Sequence, residues 1–263
     1  MAFAIARLLR AALADPRARG LDLESAAATE THARLIRAKG LLGAVYRDYY
    51  GQLAAGARRA PPGARVEIGA GGGFLGELVP GVVTLDLRPG ARVDLQASAL
   101  DLPFRDETVG AVLALNVLHH LPDLERFFDE LERALVPGGR LVAVEPWVSP
   151  LSRRIYRHLH HEPFDPEVED WRLPDAGPMT AANGALPWVA LVRDRARFER
   201  RFDRLVVERV APHTVARYLL SGGLSMRALA PGGLARPLAR AEALLGPALP
   251  RLASMMTVEV RRA

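Results

Sequence analysis

The chain has 263 residues, 49% of them hydrophobic and 25% charged. That is enough apolar material for one generous α/β domain or two small ones, and no stretch reaches the roughly 18 consecutive apolar residues of a membrane span. Fibrous, integral-membrane and largely disordered proteins are excluded. The chain has no cysteine, so disulfides, thiolate metal sites and a cysteine nucleophile are ruled out, and a cytoplasmic location is expected. The formal net charge of +5 is carried almost wholly by arginine, Lys39 being the only lysine. The arginines alternate with Asp and Glu, most densely over 193–204, with few aromatics beside them. This is the pattern of a solvated basic face, and no nucleic-acid partner is expected.

Near the N-terminus, Ile5, Leu8, Leu9, Ala12 and Leu13 follow helical spacing with Arg7 and Arg10 inside the apolar stretch, which predicts an amphipathic helix rather than a signal peptide. Residues 35–53 repeat apolar positions every three or four residues, and Pro61, Pro62 and Gly63 end that helical segment. Short β-rich runs follow at 65–68, 82–86, 93–95, 109–115 and 141–145, separated by helical stretches. Such alternation predicts a parallel sheet with right-handed crossovers. The clearest helix opens at Pro122 and Asp123, buries Leu124, Phe127, Phe128, Leu131 and Leu135, and stops at Pro137, Gly138 and Gly139. From Pro146 to about Trp188 a Pro-rich stretch reads as an insertion over the sheet. Two more strands are expected at 204–210 and 255–260, with a second insertion between them.

The strongest local signal is Val66-Glu67-Ile68-Gly69-Ala70-Gly71-Gly72-Gly73-Phe74, a strand running into a glycine loop and then a helix carrying Phe74, Leu75 and Leu78. A loop without side chains admits a ligand to the backbone, and the helix behind it offers free amide donors. Gly71-x-Gly73-x-x-Gly76 also satisfies the dinucleotide spacing. Two acids bear on the choice of ligand. Glu67 lies two residues before the first glycine, where a carboxylate repels a pyrophosphate and attracts an amino or sulfonium cation. Asp86 ends the next strand, where it can accept from both hydroxyls of a ribose, a group that NAD and S-adenosylmethionine share.

Over about 65–146 the chain resembles the class I S-adenosylmethionine-dependent methyltransferases of the type 11 kind, in a bacterial branch. Glu67-x-Gly69-x-Gly71-x-Gly73 looks like that family's first motif and Asp86 like its ribose acid. Leu102-Pro103-Phe104, Asn116-Val117-Leu118-His119-His120-Leu121-Pro122-Asp123 and Leu135-Val136-Pro137-Gly138-Gly139-Arg140-Leu141 then recur in the family's order. The resemblance implies a Rossmann-like, doubly wound α/β fold with a seven-stranded, mostly parallel sheet, an N-terminal helical cap and two insertions over the active site. It divides the chain into a cap (1–60), a cofactor-binding core (61–146), a substrate-side insertion and helix (147–203) and the final strands with a helical lid (204–263). It also implies that Glu67, Gly69, Ala70, Gly71 and Gly73 hold the methionine end of S-adenosylmethionine, Asp86 and Leu87 the ribose, and Ser98 and Ala99 the adenine edge, with Asn116 lining the cofactor. Many relatives carry Asp where Ser98 stands, and a hydroxyl accepts a hydrogen bond more weakly than a carboxylate.

Methyl transfer from a sulfonium needs alignment and exclusion of water, and a hydroxyl acceptor would also use a base. His119, His120 and His161 are the candidate bases, with hydrogen-bonded wall residues as the plainer account of the first two. The run His158, His160, His161, Glu162 and Asp165 lacks the spacing of a metal motif, so no metal is expected. Glu145 is read as a substrate-facing acid or a partner for Arg154, and Trp147 as part of an acceptor wall or of the insertion's own core. Residues 233–256 carry an amphipathic pattern that suits either a cover over the site or peripheral membrane contact. The expected activity is methylation of a small-molecule or lipid-like acceptor, most simply at oxygen. An NAD-dependent oxidoreductase, a nucleic-acid methyltransferase and a catalytically silent cofactor-binding partner are the rivals.

Overall fold

The structure, a computed structural model, describes residues 12–22, 25–159, 162–174 and 181–263. Seven strands form one sheet: β1 (Ala64–Ile68), β2 (Val83–Asp86), β3 (Leu95–Gln96), β4 (Val109–Leu115), β5 (Leu135–Pro146), β6 (Leu205–His213) and β7 (Met255–Arg262). They lie in the order β3-β2-β1-β4-β5-β7-β6. The first five run parallel, and β7 is antiparallel to both β5 and β6. The order reverses between β1 and β4, and ligand crevices in open α/β sheets lie outside the carboxyl ends of strands at such a reversal.

Period-two alternation gives the sheet two apolar faces. In β4, Val112 and Ala114 join one core cluster while Ala111 and Leu113 join the other, and β5 divides Leu141 and Ala143 from Val142 and Val144 in the same way. Helices α1 (Ala26–Ala38) and α2 (Gly40–Arg59) belong to one side, and α2 covers that face with Tyr46, Tyr49, Tyr50 and Leu53. Gly56 allows the close approach, since a Cβ there would stand 2.3 Å from Val142 Cγ2. Helix α3 (Leu124–Ala134), capped by Asp123 Oδ1 accepting from the Arg126 N–H at 3.0 Å, packs Phe127, Phe128 and Leu131 on the other face. Helix α4 (Pro150–Leu159) follows β5, α5 (Arg195–Arg201) precedes β6, and α6 (Ala235–Ala243) lies between β6 and β7.

Several expectations are corrected. The helical stretch over 35–53 is two helices, broken at Lys39 (ψ 101°). Its ammonium is buried against Asp15 at 3.2 Å and donates to the Gly223 and Met226 carbonyls, contacts that draw the backbone out of the helix. The helix expected behind the glycine loop is one 3-10 turn, Leu75–Glu77. Strand β5 starts at Leu135 rather than 141, taking up Pro137-Gly138-Gly139 as an irregularity in its pairing with β4. The first insertion is not wholly irregular, because it contains α4. The N-terminal amphipathic helix lies mostly outside the described residues. No helix of the described residues is long and apolar enough to cross a membrane.

Candidate active site

The chain leaves β1 into a loop whose Gly69 (φ +60°) and Gly71 (φ +47°) occupy the left-handed region that glycine tolerates. A Cβ on Gly69 would lie 2.5 Å from Val117 Cγ2, and one on Gly73 2.0 Å from the Tyr50 hydroxyl. At Gly71 the nearest atom is 3.7 Å away, so its surroundings are open. Backbone and side-chain bonds tie the loop to β2: the Ala70 N–H donates to the Leu85 carbonyl (3.1 Å) and the Gly71 N–H to Asp86 Oδ2 (3.0 Å). Asp86 Oδ1 accepts from the Arg88 N–H at 2.9 Å. Each carboxylate oxygen keeps a further lone pair, so Asp86 can fix the loop and still receive a ligand's hydroxyls.

Glu67 is buried in β1. Burial pushes its carboxyl up to about 8, with the Tyr50 hydroxyl's hydrogen bond opposing and the Asp86 charge adding to the rise. Asn116 sits at the end of β4 with φ +55°, a conformation Asn adopts more readily than most residues. Its N–H donates to the Val144 carbonyl at 2.9 Å. Ser98 Oγ accepts from the Leu100 N–H at 3.1 Å.

Two histidines follow Asn116 on a short turn, Leu118–His120. The fully buried Glu145 at the end of β5 anchors that turn, its Oε1 accepting from the N–H groups of Val117 (2.8 Å) and Leu118 (2.7 Å). Its Oε2 lies 2.6 Å from His119 Nδ1. His120 Nδ1 lies 3.1 Å from the Ala181 carbonyl. The opposite nitrogens turn toward Glu162: His119 Nε2 is 3.6 Å from Oε2, and His120 Nε2 is 3.8 Å from Oε1. Burial would depress His119, but the carboxylates of Glu145 and Glu162 outweigh it and carry the imidazole up to about 10. Burial, and then the charge on His119, lower His120 to about 4.

Loop, Asp86 and histidines face one cavity of about 690 Å³. Gly69, Ala70, Gly71, Gly73, Asp86, Leu87, Ser98, Ala99, Asn116, His119 and His120 all line it. Glu67, Glu145 and Trp147 are not among the residues that line it. Glu67 lies behind the loop, Glu145 reaches the cavity only through His119, and the Trp147 indole donates instead to the Pro250 carbonyl at 2.7 Å. Glu145 also does not serve Arg154. Trp171 is buried in the core, with its indole N–H on Asp194 Oδ2 at 3.1 Å. His161 lies outside the described residues.

The structure adds lining residues that the motifs did not reveal. Tyr46 and Tyr50 from α2, Ile155 and Tyr156 from α4, and a strap formed by Tyr218, Leu219 and residues 222–226 enclose the space. Thr29 also lines it, and its buried hydroxyl has no hydrogen-bond partner among the described residues. The helical spacing over 35–53 does not single out Tyr46 or Tyr50, and nothing in the chain marks them as pocket rather than core.

Residues 66–143 match the sequence model of a family described as the methyltransferase domain. Among solved structures, the chain is similar to geranyl diphosphate C-methyltransferase from Streptomyces coelicolor A3(2), at 17% identity over 95% of this chain and 88% of that one, with a TM-score of 0.47. It is also similar to an S-adenosylmethionine-dependent methyltransferase from Mesorhizobium loti (19%, 79% and 96%, TM-score 0.42) and to the [4+2]-cyclase SpnF (16%, 81% and 81%, TM-score 0.47). Likenesses this distant leave the chemistry to this chain's own residues. Residues 66–143, which carry the glycine loop, Asp86 and the downstream motifs, are thus the part of the chain that is similar to a methyltransferase domain.

Proposed function

We propose that the chain transfers a methyl group from S-adenosylmethionine to oxygen of a small, largely apolar hydroxylated acceptor. The observation that carries this is the side-chain-poor loop, Asp86 and the His119–His120 pair facing one mainly apolar cavity. The residues fit the cofactor. Gly71 leaves its backbone open, Asp86 has acceptor capacity to spare, Thr29 offers an unpartnered hydroxyl, and Glu67 supplies a carboxyl that a nearby cation would ionise. Ser98, Ala99, Leu87 and Asn116 line the same cavity, which supports reading the first three as the adenine and ribose border and Asn116 as the wall toward the acceptor. The single 3-10 turn behind the loop provides no long helix N-terminus for a pyrophosphate, which weighs against a dinucleotide.

The bound cofactor supplies an electrophilic methyl group whose C–S bond electrons stay with sulfur on transfer. This chain's part is to hold the acceptor, exclude water and take a proton. Because a carbonyl only accepts, His120 must donate its Nδ1 proton to Ala181. Its Nε2 then receives the acceptor's proton as the acceptor oxygen bonds to the methyl carbon. Glu145 fixes His119 and the turn beneath it and is a positioning residue. The aromatic and aliphatic lining, including Tyr46, Tyr156, Leu219 and Met226, selects an apolar acceptor body.

The test is a panel of hydroxylated, aminated and carboxylated apolar compounds, read by S-adenosylhomocysteine formation. The proposal expects turnover with hydroxyl acceptors that falls at least about 100-fold in His120→Ala, in line with the loss of a general base. Turnover confined to amines would overturn the oxygen assignment.

A further inference from the structure

Both imidazoles at the polar end of the cavity have one nitrogen already committed. His119 Nδ1 lies on a carboxylate at 2.6 Å and His120 Nδ1 on a backbone carbonyl at 3.1 Å. Neither partner can donate, so each ring carries its proton on Nδ1 and, when neutral, presents a bare lone pair at Nε2. Both Nε2 atoms face Glu162, across 3.6 and 3.8 Å, distances beyond a hydrogen bond, and a bound cation would take the place of the proton that the carboxylates otherwise hold on His119. One ligand atom from each of the three residues lies within 4.8 Å of the other two. Rotation of the partly exposed Glu162 side chain, with a small convergence of the two imidazoles, would let all three reach the roughly 2.0–2.2 Å that imidazole and carboxylate keep from a bound cation.

The outer contacts are those of a metal site as well. Ligating histidines generally donate their second nitrogen to a carboxylate or a backbone carbonyl, which fixes tautomer and ring orientation. Here one ring does each, and Glu145 is itself held by the N–H groups of Val117 and Leu118. All three candidate ligands line the cavity, so further coordination positions face the space left for the acceptor. Two imidazoles and one carboxylate suit zinc, iron(II) or manganese(II) better than magnesium or calcium.

We propose that His119 Nε2, His120 Nε2 and the Glu162 carboxylate hold one divalent transition-metal cation, with open positions toward the acceptor. The inference rests on reading the cavity as a methyl-transfer site and narrows its substrate to molecules with a hydroxyl able to coordinate the cation. In the metal-bound protein both imidazoles are ligands. The cation would stand in for His120 as the group that acidifies the acceptor hydroxyl, whose proton would pass to bulk solvent before the site closes on the acceptor. The resulting oxygen bonds to the methyl carbon, while the C–S pair stays with sulfur on transfer. The chain pattern pointed away from a metal because only Glu162 belongs to the His-rich run of 158–165, and the two imidazoles come from the turn after β4.

Full-length protein stripped with a chelator and titrated with zinc chloride by calorimetry tests the site, with S-adenosylhomocysteine titrated into the same samples. One saturable equivalent of zinc is expected, weakened at least about tenfold in Glu162→Gln and in His120→Ala, with S-adenosylhomocysteine affinity unchanged in Glu162→Gln. Glu145→Gln, which touches no metal ligand atom except through His119, should weaken zinc by about 10–100-fold. Absence of saturable zinc binding, or wild-type affinity in Glu162→Gln, overturns the metal site. Should His120→Ala fail to fold, Glu162→Gln decides the matter from a partly exposed position outside the helices and strands. Failure of the wild type to bind S-adenosylhomocysteine while binding zinc overturns the methyl-transfer reading and leaves the metal site standing.

Discussion

Glu67→Gln separates two roles that a buried acid behind a ligand loop combines. The folded-state value of about 8 stands above the ordinary 4.5, so the native chain keeps a proton that the unfolded chain releases between those limits. The stability this proton confers is full below about pH 4.5 and is lost as pH rises through 8. At pH 7 the unfolded chain is favoured by roughly 2.5 pH units of ionisation, about 3 kcal/mol at about 1.4 kcal/mol per unit. Glutamine keeps the volume and can still meet the Tyr50 hydroxyl, but cannot ionise. The ligand-free variant should therefore be about 3 kcal/mol more stable in urea at pH 7, with the difference vanishing toward pH 4.5.

Binding should move the opposite way. A cationic ligand favours the carboxylate, so wild-type affinity for S-adenosylmethionine should rise by up to about tenfold per pH unit between pH 6 and 8. The variant should lose the Glu67 share of that slope and bind more weakly than wild type at pH 8. Urea unfolding followed by tryptophan fluorescence, and calorimetric titration at several pH values, read the two effects. A variant no more stable than wild type at pH 7 refutes the burial argument. One that retains the full wild-type slope refutes the role of Glu67 toward a cation.

Asp86→Ala removes the acceptor of two backbone N–H groups along with the proposed ribose contact. Hydrogen bonds to a charged group are each worth about 1.5–3 kcal/mol, so S-adenosylmethionine affinity should fall at least about tenfold, and a calorimetric change under twofold would count against the assignment. Gly69→Ala places a Cβ 2.5 Å from Val117 Cγ2 at φ +60°, and a loss of about 1–3 kcal/mol is expected in chemical unfolding. Lys39→Met leaves Asp15 without its buried ammonium and the strap carbonyls of Gly223 and Met226 without a donor. Hydrogen exchange at the Asp15 and Arg227 amides, which bond to Ser225 and Leu13, should speed up at least about tenfold, while sheet amides of β4 should be unaffected.

The sheet was legible because β1, β2 and β4 are short apolar runs between glycine, proline and charged punctuation. The glycine loop and Asp86 were legible because their chemistry is local. What escaped the sequence depends on contacts between distant segments. The break at Lys39 follows from partners about 24 residues before it and 184 and 187 after it, and no local propensity announces it. Glu145 stands at a strand end, as a substrate-facing acid would, yet its oxygens are taken by Val117, Leu118 and His119. Trp147 reads in the sequence as part of an acceptor wall or of the insertion's own core, and its indole N–H is bound to Pro250, which follows it by 103 residues. The short turn behind the loop also differs from the expected helix. There α2 covers the sheet with Tyr50 and Leu53, packing with Leu75 and Val79, so no crossover helix is needed.

Competitive calorimetry of the wild-type chain with S-adenosylmethionine and NAD addresses the cofactor most directly. One equivalent of S-adenosylmethionine should bind, S-adenosylhomocysteine should displace it, and NAD at the same concentration should not. Uptake of NAD with no measurable affinity for either sulfur nucleoside would contradict the account.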